Sequence, residues 1–125
     1  MKRLAALLFP ALLLGCQPGR VVKTTVLPNG NVRIALDGLE TCIDSIEIRQ
    51  ADSSNESGTM WRIESVPEAS PEICHSAVEY PAVPMGFEVT AGPVPLAAGH
   101  YWVTGKASQY WLSGDFEIPT KVTMR

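Results

Sequence analysis

Histidine is scarce in this chain: His75 and His100 are the only two in 125 residues. Nucleophilic catalysis usually sets a histidine within hydrogen-bond reach of a serine or cysteine. Neither histidine stands in a recognisable nucleophile motif. Carboxylates are plentiful, but Asp and Glu scattered over loops are the default in an acidic protein, so the chain reads as a non-enzyme without cofactor. Positive charge is also short, with ten Lys and Arg against thirteen Asp and Glu and a formal net charge of −3. Such a balance leaves no footprint for nucleic acid or for anionic lipid headgroups. It is explained first by plain solubility, and it is also compatible with a basic protein partner that complementary charge would steer. Beyond residue 14 no apolar run approaches the roughly 20 residues that a membrane-spanning helix requires. Helix-periodic segments are nearly absent, and there is neither a 20–50-residue repeat nor a low-complexity tract.

Cysteine is nearly as rare, with three copies, but each has a place. Lys2-Arg3 precedes an apolar run from Leu4 to Leu14, and Gly15 then stands before Cys16. That is the layout of a secretory signal whose cleavage leaves Cys16 as the first residue. A transmembrane anchor or buried helix is the alternative, but the run is too short to span a bilayer and Pro10 interrupts it. Leu13-Leu14-Gly15-Cys16 resembles the lipoprotein box, which implies that Cys16 receives a diacylglycerol and then an N-acyl chain. Gln17 stands where an aspartate, in that family, marks retention at the inner membrane. The resemblance therefore implies a lipid anchor in the outer membrane, facing the periplasm. The expected organisation is a signal peptide over residues 1–15, a lipidated start and short tether over 16–20, and one domain over 21–125. Residues 17–20 reach no more than about 15 Å, which keeps that domain close to the bilayer. Loss of Lys2 and Arg3 with the leader leaves eight basic against thirteen acidic residues, a balance of −5.

Cys42 and Cys74 remain, in an oxidising compartment where such a pair in a small domain usually forms a disulfide. Closing that loop stabilises a fold by roughly 3–4 kcal/mol on the chain-entropy argument. A metal site is the alternative, with Cys42, Cys74, His75 and His100 as ligands, and Met60, Met85 and Met124 for copper. No pair has finger-type or blue-copper spacing, and adjacent Cys74 and His75 would point to opposite faces of a strand. No metal is expected.

Strand signals fill the remainder, punctuated by Pro and Gly about every ten residues. Residues 21–26 and 32–36 flank Pro28-Asn29-Gly30-Asn31, and Asn-Gly between such runs predicts a hairpin. Strands are expected over 45–49, with Ile46 and Ile48 inward, and over 59–66, with Trp61 and Ile63 on one side. Residues 52–58 read as a polar tip and 67–72 as a loop. A short strand over 75–80 is followed by Pro81 and Pro84, which suggests an edge or a sheet-switching strand. Residues 86–90 (Phe87 and Val89 inward), 99–106, 115–118 and 121–124 complete the set. About seven short strands argue for an all-β, antiparallel β-sandwich, immunoglobulin-like, with a small closed β-barrel as the alternative. Leu96-Ala97-Ala98-Gly99-His100-Tyr101 has the L-x-x-G-x-Y form of a tyrosine corner. A core tyrosine after a tight turn is the other reading.

The adjacent aromatic pairs Tyr101-Trp102 and Tyr110-Trp111 are the sharper functional signal, since one member of each must face away from its neighbour. A four-residue loop over 105–108 would pair Thr104 with Gln109 and set Trp102 across from Trp111. One face would then carry Tyr101, Val103, Tyr110 and Leu112. The other would carry His100, Trp102, Thr104, Gln109, Trp111 and Ser113. In a second register the first strand runs to Ser108, and 109–114 is a loop with Tyr110-Trp111 at its tip. Exposed indoles are enriched in binding hot spots, which makes Trp102, Tyr110 and Trp111 candidates for partner contact. Burial of these rings, or their rest on the nearby bilayer, is the competing reading.

Length, the Cys16-Gln17-Pro18-Gly19 start, the early Asn-Gly hairpin and the Asp115-Phe116-Glu117-Ile118 ending together resemble small immunity lipoproteins of type VI secretion systems. The resemblance implies a membrane-anchored module that binds and neutralises a secreted effector protein in the periplasm. An accessory envelope lipoprotein without a toxin partner is the alternative. A lysozyme-inhibitor lipoprotein ranks lower, because the serine–alanine–tyrosine signature of those inhibitors is missing.

Overall fold

Apolar and polar residues alternate along this chain, and that period of two dictates strands rather than helices. The computed structural model describes residues 19–38, 40–51, 58–68 and 72–120. Among them lie β1 (Gly19–Val21), β2 (Lys23–Val26), β3 (Val32–Ala35), β4 (Ser45–Gln50), β5 (Thr59–Ser65), β6 (Ala77–Tyr80), β7 (Phe87–Ala91), β8 (Gly99–Ala107) and β9 (Tyr110–Ile118). They form a six-stranded sheet in the order β1-β9-β8-β4-β5-β7 and a three-stranded sheet in the order β2-β3-β6. The inward residues of both sheets meet in one core. Ile46, Ile48, Trp61, Ile63, Tyr101 and Val103 come from the large sheet, and they meet Val32, Ile34 and Val78 of the small one. No polar or charged residue is buried among the described residues. The protein is therefore all-β, two sheets of mixed topology stacked as a sandwich.

Two expectations are corrected here. The sandwich is not wholly antiparallel, because β1 runs parallel to β9. Barrel closure is not supported either, since the described strands divide into two sheets with open ends.

Residues 21–26 are not one strand. The chain leaves the large sheet at Val22, whose N–H donates to the Ser113 carbonyl at 2.8 Å, and continues as β2 in the small sheet. That crossing needs space, and Gly114 supplies it: a Cβ there would stand 2.7 Å from Val22 Cγ2. The Asn-Gly hairpin is present, with Val26 paired to Val32. β6 is an edge strand, as the following Pro81 requires. Phe87 packs partly against the core as expected, whereas Val89 is 36% exposed because β7 lies at the sheet edge. The strand expected over 115–118 is the end of the longer β9. Most of the polar tip (52–57), part of the 67–72 loop and the strand expected over 121–124 lie outside the described residues.

Cys42 and Cys74 are joined, with Cα atoms 5.0 Å apart. The bridge links the β3–β4 and β5–β6 connections, two of the four passages among the described strands in which the chain crosses between sheets. Beside it the Ile43 N–H donates to the His75 carbonyl at 2.9 Å.

Two tyrosines lock loops onto the core. The Tyr101 hydroxyl donates to the Ala97 carbonyl four residues upstream, at 2.7 Å, as in a tyrosine corner, and its ring stacks on Phe116. The Tyr80 hydroxyl donates to the Val94 carbonyl at 2.6 Å. Burial, and secondarily the nearby Tyr101 phenol, push the Tyr80 pKa above the ordinary phenol value. A raised pKa of this kind leaves stability intact below pH ~10, the unfolded value, and removes it as pH climbs through the folded one. Urea titrations at increasing alkaline pH should show that fall. Tyr80→Phe should flatten it, at a cost of about 1 kcal/mol near neutral pH for the lost hydrogen bond.

Candidate functional site

The outer face of the six-stranded sheet is built in rows set by strand register. One row runs Gly19, Trp111, Lys106, Ser45 and Glu64. The next runs Val21, Ser113, Thr104, Glu47 and Arg62, and the third runs Asp115, Trp102, Arg49 and Thr59. His100 pairs with Glu117 one step further along. Trp102 is 51% exposed and Trp111 53% exposed. Both indoles therefore stand on the sheet face that looks away from the core.

Neither expected hairpin register is the observed one. Ala107 pairs with Tyr110, which leaves a two-residue turn of Ser108 and Gln109, and Trp102 lies across from Asp115. The turn is pinned by the Ser108 N–H, which donates to Asp44 Oδ2 at 2.7 Å. The indoles are thus two rows apart rather than opposed, with Cα atoms about 14 Å apart at about 3.4 Å per strand residue. Thr104 and Ser113 fill the row between them. Tyr110 does not join this face. It points to the other side of β9, partly packed on the core, with the Arg20 guanidinium 5.0 Å from its ring centre.

Around the indoles the charges pair among themselves. Glu47 Oε2 accepts from the Thr59 hydroxyl at 2.7 Å and from Arg49 Nη1 at 3.3 Å. Arg62 Nε donates to the Thr90 hydroxyl at 2.9 Å. His100 Nε2 and Asp115 Oδ2 are 2.8 Å apart. The exposed pair of His100 and Asp115 contributes little stability, and with the half-buried Glu47 cluster it gives the face a mixed, wet character. Between Val21 and Trp102 lies a shallow hollow of about 450 Å³ floored by Thr104, Ser113 and Asp115. A second hollow, about 310 Å³, opens over Glu47, Arg49 and Arg62. At the far end of the sandwich a more apolar cleft of about 500 Å³ runs between Leu27, Leu96 and Ile118, and none of the described residues lining it is charged.

The residues weighed as metal ligands do not converge, since His75 bonds the Met85 carbonyl at 2.8 Å while His100 bonds Asp115. Among the described residues no three Cys, His, Asp or Glu side chains cluster as a metal site would require. Sequence reasoning missed Val21 as a wall of the hollow and the two cations Arg20 and Lys106 on the aromatic rings. The Val21-Val22 doublet, which puts one valine outward whatever the register, was the available signal for the first. Comparison with known proteins returns no match to a family model, a curated protein or a solved structure.

Proposed function

We propose that this chain is a lipid-anchored periplasmic module that binds another protein through the outer face of its large sheet, with Trp102 at the centre. Lipidation at Cys16 holds it in the outer membrane, facing the periplasm. The partner is a secreted effector that the module neutralises. We read the sandwich as immunoglobulin-like, a reading supported by the Tyr101 hydrogen bond near the start of β8.

One observation carries the functional reading: an indole 51% exposed, flanked by a hollow and by the His100–Asp115 pair. A large rigid aromatic ringed by polar groups is the usual make-up of a binding hot spot. The candidate partner is the product of a neighbouring gene. Replacing Trp102 with serine is expected to weaken binding to it by roughly 30-fold, the effect of losing a hot spot worth about 2 kcal/mol. Calorimetry on the folded variant reads this directly, and an unchanged affinity removes the face from the function. The accessory reading predicts co-purification with an envelope complex and no protection from any effector.

A further inference from the structure

We propose that the β8–β9 turn, with Trp111, Lys106, Tyr110 and Arg20 around it, rests in the headgroup layer of the membrane to which Cys16 is anchored. In that pose the Trp102 end is held outward for the partner. The inference rests on the lipidation reading above. Gly19 pairs with Trp111, so the backbone of the first described residue lies on the neighbouring strand, about 5 Å from that of Trp111. Cys16 precedes Gly19 by three residues, which can span no more than about 11 Å. Wherever the acyl chains enter the bilayer, Trp111 is within reach of the interface. Trp102 sits two rows further out.

The chemistry of the turn matches that position. Trp and Tyr are enriched at membrane interfaces because their rings are apolar with one polar edge, and Lys and Arg beside them reach the phosphates. Here each face of the turn carries one such pair. Lys106 Nζ lies 5.6 Å from the Trp111 ring centre on the outer face, and Arg20 lies over Tyr110 on the inner. The Asp44 bond to Ser108 fixes the turn between them. Val21 also stands on this margin of the sheet, 77% exposed. The chain as a whole is acidic, so charge alone would not draw it to lipid. The contact is a local one of aromatic and cation, made at short range because the anchor holds it there.

The test uses the full chain produced in a bacterial envelope, with its mass recording any lipid on Cys16. It is reconstituted in phosphatidylethanolamine–phosphatidylglycerol vesicles carrying brominated acyl chains, which quench nearby indoles. Trp61 is fully buried and serves as a shielded background. Trp102→Phe leaves Trp111 as the exposed indole, and Trp111→Phe leaves Trp102. The expected result is loss of emission in the first variant and none in the second. A lipidated, vesicle-bound protein whose Trp111 is unquenched overturns the pose while leaving the functional reading intact. An unmodified Cys16 overturns both. Trp111 unquenched, with Trp111→Ser weakening partner binding as much as Trp102→Ser, assigns the turn to the protein partner instead.

Discussion

Trp61→Ala is expected to destabilise the fold by about 3–5 kcal/mol, against a total of roughly 5–15 for a domain of this size. The indole is fully buried, and it meets Tyr80 edge-on with ring centres 5.3 Å apart. Truncation to alanine removes that contact and opens a cavity between two sheets whose backbones cannot close on it. The indole N–H, however, has no hydrogen-bond partner among the described residues. A buried donor left without an acceptor costs about 1–3 kcal/mol. Phenylalanine at this position sheds that cost while keeping most of the ring, so Trp61→Phe should lose far less stability than Trp61→Ala. Urea denaturation of both variants checks the pair. A loss for Trp61→Phe as large as that for Trp61→Ala would overturn this account of the site.

The core was legible in the sequence because a sandwich core obeys parity. Ile46, Ile48, Trp61, Ile63, Tyr101 and Val103 all point inward as alternation predicts. The same parity protected the outer face from an error in pairing. Thr104 was expected opposite Gln109, but Ser113 is there, a displacement of four positions. An even displacement returns every side chain to its own face, whereas an odd one would have exchanged core for surface. The cost was local: the two indoles share one face but stand two rows apart instead of facing each other. Gly105 caused the slip, because it looks like turn punctuation. Its real role is to let β8 approach β4, where a Cβ would meet the Ser45 carbonyl oxygen. The true turn, Ser108-Gln109, carries no Asn-Gly or Gly signature, and Ser108 takes a φ of 58° with Asp44 bound to its N–H. A distant side chain does there what turn chemistry does elsewhere. Parallel pairing of β1 with β9 left no local trace at all, since it joins the two extremes of the described chain.

Breaking the Cys42–Cys74 bridge is the second large effect, expected at roughly 3–4 kcal/mol from chain entropy alone. The half-cystines are 32 residues apart, and they staple together two of the passages between sheets, β3–β4 and β5–β6. Without the bond, the unfolded chain regains the freedom of that loop. The native state keeps the Ile43–His75 and Leu36–Ser76 backbone hydrogen bonds at the same end, at 2.9 and 2.8 Å. The reduced protein should therefore retain its strands, with a lower denaturation midpoint. Its slope against denaturant should rise, because the unfolded chain is now more expanded. The double replacement Cys42→Ala and Cys74→Ala should match the reduced protein within error. A midpoint unmoved by reduction would show that the packed sheets, and not the staple, decide whether the domain folds. A loss much above 4 kcal/mol would mean that the bridge also holds the crossings in place in the native state. That distinction bears on the proposed function, since a domain dependent on its disulfide would fold only in an oxidising compartment, as the periplasmic reading requires.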